Sequence, residues 1–172
     1  QVEKIKANFG KLVEKGKLSA AERDAAGRRL TVASAPSDFW QADFLVEAVV
    51  EDLDVKCQAL EPVLAAAQPG AIIASNTSSL SISKIGHGLG VARRTVGMHF
   101  FNPVPLRPLV EVIAGEDSDP AAARRTAEIA RLWGKTVVHA KDTPGFIVNR
   151  VARGYYLESL RMLGEGVGSE DE

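Results

Sequence analysis

Cysteine is nearly absent from this sequence. Cys57 stands alone among 172 residues, so no internal disulfide can form, and no Cys/His spacing typical of a zinc site occurs. A charge excess is missing too, since 21 Lys and Arg against 22 Asp and Glu leave a formal charge of −1. That balance argues against an electrostatic nucleic-acid binder, which carries a basic excess or stripe. Apolar runs such as Ala71–Ala74 fall far short of the roughly 20 residues that span a bilayer, so no membrane association is expected. Position 1 is Gln with no charged-then-apolar leader behind it, and a reducing cytoplasm is the expected setting. What is present is 45% hydrophobic and 25% charged, the average of a soluble globular protein. Wholesale disorder, a collagen-like fibre and a disulfide scaffold are excluded. The length fits one domain, or one domain and the start of another.

The intervals of three and four between Val2, Ile5, Phe9, Leu12 and Val13 predict an amphipathic helix. Ser19 followed by Glu22 has the capping-box spacing and predicts a second, short helix. Leu30–Ala33 is a weak strand candidate. From there strands and helices alternate. Strands are expected at the start of Asp43–Val50, at Ala71–Ser75, Thr95–His99, Leu109–Ile113 and Thr136–His139. Helices are expected over Leu53–Ala67, Pro120–Trp133 and Phe146–Leu163, ahead of a frayed Gly/acidic tail. The alternation predicts an α/β sheet with a large parallel component. Ligands of such sheets sit at the carboxyl ends of the strands, so segments just after strands carry the functional information.

Four such segments bear chemistry. Ser75-Asn76-Thr77-Ser78-Ser79 offers hydroxyls and an amide after a buried strand, or else is a solvated turn that caps the next helix. His99 ends a strand between bulky apolar residues, in Gly97-Met98-His99-Phe100-Phe101-Asn102-Pro103. There it is either a general acid or base or a hydrogen-bonded core histidine. Glu111 interrupts the apolar strand Leu109-Val110-Glu111-Val112-Ile113. A buried carboxylate needs a partner and a His would suit, whereas a solvent-facing one would need none. Asn149, in Pro144-Gly145-Phe146-Ile147-Val148-Asn149-Arg150, lies in an apolar helix start as a structural hydrogen-bonder or a ligand contact. His87 and His139 read as bystanders, and Trp40 and Trp133 as packing.

In this order and spacing, the four motifs resemble the L-3-hydroxyacyl-CoA dehydrogenase family, and the resemblance extends through Val46–Glu51 and Lys56. It implies a Rossmann-like, mostly parallel sheet that binds NAD and interconverts 3-hydroxyacyl-CoA and 3-ketoacyl-CoA, with no metal. Within it, His99 is implied as the catalytic base and Glu111 as its orienting carboxylate. Ser78 and Asn149 are implied to hydrogen-bond the reacting end of the substrate, with Ser78 also near the nicotinamide. Glu51, Lys56 and Asn102 match positions that line the NAD site. The full-length parent is implied to be a homodimer.

The sequence departs from the family pattern in one major respect. The family opens on a strand and a Gly-x-Gly-x-x-Gly turn that approaches the NAD pyrophosphate, and none stands here. Gly86-His87-Gly88-Leu89-Gly90 has the wrong spacing and lies beyond Ser78. The expectation is therefore a partial NAD-binding domain over residues 1–142, lacking its first strand–Gly turn–helix–strand. Residues 143–172 are expected to begin an all-α C-terminal domain. Arg107-Pro108 stands where relatives more often carry a Met-Lys-like pair, at the expected mouth of the acyl pocket. The alternative to an enzyme is a non-catalytic scaffold of the same fold. Within the enzyme reading, Trp133–Lys135 and Val148–Arg153 resemble the branch acting on 3-hydroxyadipyl-CoA or 3-hydroxybutyryl-CoA.

Overall fold

The computed structural model describes residues 2–169, and the chain divides into two compact units between Phe39 and Trp40. In the first, α1 (Val2–Glu14) packs on α2 (Ala20–Arg28). The capping box forms as its spacing predicts: the Glu22 amide donates to Ser19 Oγ at 3.2 Å and the Ser19 amide to Glu22 Oε2 at 2.8 Å. This satisfies two of the donors that a helix start leaves free. Leu30–Ala33 is irregular rather than the expected strand. Among the described residues it belongs to no sheet, and Val32 is 73% exposed.

The second unit alternates as expected: β1 (Phe44–Glu47), α3 (Leu53–Ala66), β2 (Ile72–Ser75), α4 (Ile82–Gly88), β3 (Thr95–Phe100), β4 (Leu109–Ala114), α5 (Pro120–Leu132), β5 (Thr136–Lys141) and α6 (Val148–Gly164). The five strands form one sheet in sequence order. The pairs β1–β2, β2–β3 and β4–β5 are parallel, and β3–β4 is antiparallel. The exception follows from chain length. A parallel return needs a crossover of about a dozen residues or more, and residues 101–108 are too few.

Helices on both sides of the sheet explain why β3 and β4 are buried on both faces and do not alternate apolar with polar. On one face Val96, Met98, Val110 and Val112 pack with Ala122, Ala127 and Ala130 of α5. On the other, Ile113 packs with Ile82 of α4 and with Phe146. Gly97 makes that second face possible, because a Cβ there would lie 2.9 Å from both Ile113 and Ile82.

Two local features escaped the sequence reading. Helix α4 is too short to show an apolar period, and it forms because its N-terminus is doubly capped. Ser81 Oγ accepts from the Lys84 amide, and Asp142 accepts from the Ile82 and Ser83 amides at 2.9 Å. Helix α6 begins two residues later than Phe146, because Gly145 (φ 76°) and Phe146 (φ 46°) both take the left-handed conformation. Residues 170–172, the end of the expected frayed tail, lie outside the described residues.

Candidate active site

The antiparallel register of β3 and β4 sets His99 directly opposite Glu111, on the sheet face that α4 covers. Both side chains are buried, and His99 Nδ1 lies 2.6 Å from Glu111 Oε2. A carboxylate can only accept, so Nδ1 carries the proton and, in the neutral ring, Nε2 keeps its lone pair. Nε2 is 3.2 Å from Ser78 Oγ. The rings of Phe101 and Phe146 flank the imidazole, with centroids 4.7 and 5.7 Å away.

Glu111 has further partners that no strand supplies. Its Oε1 accepts from the amides of Ile147 at 2.9 Å and Val148 at 3.0 Å. The left-handed pair Gly145–Phe146 turns the chain so that these amides, free at a helix start, aim at the carboxylate. The Phe146 side chain is buried by the same turn. Three donors thus compensate a fully buried charge. Asn149 follows at once, half-buried on the first turn of α6, and its side-chain amide makes no hydrogen bond among the described residues.

A second cluster lies at the carboxyl ends of β1 and β2. Lys56 of α3 is 1% exposed, and its Nζ meets Glu47 Oε1 at 2.8 Å, Glu51 Oε2 at 3.3 Å and the Val49 carbonyl at 3.3 Å. Glu47 also accepts from Ser75 Oγ at 2.5 Å and the Val49 amide at 2.6 Å. Glu51, at 38% exposure, reaches the 75–79 loop. Its Oε1 accepts from Thr77 Oγ1 at 2.6 Å, the Ser78 amide at 2.8 Å, the Ser79 amide at 3.0 Å and Ser79 Oγ at 3.1 Å. Burial pushes the Glu51 carboxyl up, but those hydroxyls and amides together with the Lys56 ammonium outweigh it and hold it at about 2.

The structure therefore brings His99, Glu111 and Ser78 together and sets Glu51 behind Ser78. Lys56, which the resemblance implies at the NAD site, is enclosed with three protein acceptors, Glu47, Glu51 and the Val49 carbonyl. Asn102 is exposed on the loop after β3, and Asn76 instead ties the 75–79 loop to β3 by accepting from the Phe100 amide at 2.9 Å. The sequence reading missed Glu47 and the Ile147 and Val148 amides. Glu47 had a signal, a lone charge closing an apolar strand, but the amides had none. His87 pairs with Asp117 at 2.7 Å on the surface. Gly86 and Gly88 lie within α4, where a Cβ on Gly86 would meet the Ala92 backbone at 2.8 Å. Among the described residues no cluster of His, Cys, Asp or Glu could hold a metal ion, and no helix is long and apolar enough to cross a membrane.

The chain is 44% identical over 159 residues to the fatty acid oxidation complex subunit alpha of Pseudomonas paraeruginosa, a match covering 92% of this chain and 22% of that protein. It superposes on the (S)-3-hydroxybutyryl-CoA dehydrogenase of Ralstonia eutropha with a TM-score of 0.93 at 34% identity, over 99% of this chain and 60% of that one. The 3-hydroxybutyryl-CoA dehydrogenase of Escherichia coli K12 gives 0.92 at 36% identity, over 97% of this chain and 35% of that one. The chain spans about a fifth of the length of the curated relatives it matches. The model of the 3-hydroxyacyl-CoA dehydrogenase NAD binding domain matches residues 1–143. With the family's mostly parallel sheet present as well, the chain belongs to the 3-hydroxyacyl-CoA dehydrogenase family, as its NAD-binding domain.

Proposed function

We propose that this chain carries the proton-transfer machinery for NAD-dependent oxidation of an (S)-3-hydroxyacyl-CoA to the 3-ketoacyl-CoA. The observation that carries the reading is the His99–Glu111 pair at 2.6 Å with Nε2 left to a single hydroxyl, Ser78 Oγ. A histidine kept only for packing needs no second nitrogen at the mouth of a loop. His99 Nε2 takes the proton of the substrate's 3-hydroxyl, and Glu111 stabilises the imidazolium that results, as the acid of a hydrolytic triad does. The Ile147 and Val148 amides fix Glu111 throughout, so the imidazole does not reorient as it gains charge. Ser78 Oγ exchanges its bond to Nε2 for one to the reacting oxygen, and the unbonded Asn149 amide supplies a second contact. Phe101 and Phe146 keep water from the imidazole.

The exposed groups at these strand ends fit the nicotinamide–ribose half of NAD. Ser78 and Asn102 offer a hydroxyl and an amide, and Glu51 presents an ionised carboxylate that suits a cationic ring and repels a phosphate. Lys56 serves the same site from behind, through Glu51. When bound, the nicotinamide supplies the hydride acceptor. The test is NADH oxidation by the purified chain with acetoacetyl-CoA, beside His99→Gln. Turnover lost in the variant is expected, with a drop of at least about a hundredfold for removal of a general base. Equal rates in both proteins would overturn the reading.

A further inference from the structure

Ser78 must meet His99 Nε2, yet no regular element holds Ser78 in place. It lies three residues beyond β2, in neither strand nor helix, and its side chain is exposed. Among the described residues its amide has one acceptor, Glu51 Oε1 at 2.8 Å. The same oxygen accepts from both neighbours of Ser78 in the chain, Thr77 and Ser79. Glu51 is well anchored to do this. It immediately precedes Asp52, whose Oδ1 caps α3 by accepting from the Val55 amide at 3.0 Å. Its other oxygen faces Lys56, which Glu47 and the Val49 carbonyl hold inside the fold.

We infer that Glu51 is a positioning residue, setting the Ser78 backbone so that the Ser78 hydroxyl meets His99 Nε2, with Lys56 and Glu47 bracing it from behind. The inference rests on the reading of His99 as the base. Its physical content is rotameric. A serine on a free loop samples three staggered χ1 wells over a moving backbone, and an error of about 1 Å at a reacting group is enough to cost a large factor in rate. With the Ser78 and Ser79 amides and the Thr77 hydroxyl pinned to one carboxylate oxygen, only the choice of χ1 well remains, and the 3.2 Å bond to Nε2 selects it.

The test reads the contact itself and needs no turnover. In the 15N-labelled full chain, at a pH where the imidazole is neutral, the His99 Nε2 resonance reports whether the lone pair accepts a hydrogen bond. Ser78→Ala should move it downfield. Glu51→Ala should move it in the same direction, and the double variant should go no further than Ser78→Ala alone. A thermal melt accompanies each protein. Because Glu51 is 38% exposed, water can satisfy the released donors and the fold should survive. Glu51→Asp is the second variant; it keeps the charge but withdraws the carboxylate by one methylene, and should give the same sign of change. A folded Glu51→Ala or Glu51→Asp protein with the wild-type Nε2 resonance would overturn the inference. So would a double variant whose displacement is the sum of the two, or a Ser78→Ala protein that shows none. A chain without dehydrogenase turnover would sink the proposed function and leave this measurement standing.

Discussion

Replacing Lys56 by Met should destabilise the protein without any ligand present, and the size of the loss follows from what is left behind. The Lys56 side chain is 1% exposed and contributes one of the three donors to the equally buried Glu47. Removing one member of a buried pair costs about 3–5 kcal/mol, because the other charge stays buried without its counter-charge. The lower end applies here, since Ser75 Oγ and the Val49 amide still donate to Glu47 at 2.5 and 2.6 Å. For a chain of this length about 3 kcal/mol corresponds to a fall of roughly 6–12 °C in Tm, readable by circular dichroism. Adding Glu47→Gln should recover most of the loss, because the amide oxygen can accept from the Val49 amide while the NH2 donates to Ser75 Oγ, and no uncompensated charge remains. A Lys56→Met protein melting within about 2 °C of wild type would refute the reasoning.

Two further outcomes follow from the geometry. Gly97→Ala should cost about 1–3 kcal/mol by overpacking, since the new Cβ would sit 2.9 Å from Ile113 and Ile82; an unchanged urea midpoint would count against the close packing of α4 on β3. Stability should also fall on acidification through two carboxylates, Glu51 on the 77–79 loop and Asp142 at the start of α4. Burial pushes Glu51 and Asp142 up, but the hydroxyls and amides they accept from prevail: Glu51 sits at about 2 against an ordinary 4.5, and Asp142 is held below its ordinary 3.8. The unfolded chain therefore binds more protons, so this contribution is complete above about pH 5 and disappears as pH falls toward 2. The double variant Glu51→Gln, Asp142→Asn should show a flatter fall in Tm over that range, and an identical slope would exclude both groups.

How far the site could be read from the sequence depended on the range of the forces that build it. The His99–Glu111 contact was legible because the features behind it are local. Each residue is a lone polar interruption of an apolar strand, and the short segment 101–108 allows only an antiparallel return between them. The donors to Glu111 Oε1 were not legible. They come from residues 147 and 148, and reach the carboxylate through a left-handed Phe146, a conformation few non-glycine residues adopt. Glu51 was hidden for a related reason. Its partners are loop amides and hydroxyls, which carry no periodicity, so only the resemblance marked it, and as a cofactor contact. The Leu30–Ala33 strand failed in the opposite direction, because a β-prone tetrapeptide has no preference strong enough to act without a neighbouring ladder.

Two buried carboxylates on one sheet face show what does separate structure from chemistry here. Glu47 and Glu111 each close their valence with three donors, and in each case two come from neutral groups and one from a basic side chain. Burial and hydrogen bonding therefore do not distinguish them. The basic partner does. Lys56 Nζ spends its donors on Glu47, Glu51 and the Val49 carbonyl, so the Lys56–Glu47 pair is a fixed brace. His99, by contrast, has a second ring nitrogen that points away from its carboxylate and meets Ser78 Oγ. A strand-borne carboxylate that holds a basic side chain is thus a strut where that side chain is Lys56 and, under the proposed function, orients a proton acceptor where it is His99. Glu51, bonded to Lys56 on one side and to the Ser78 loop on the other, connects the strut to the acceptor.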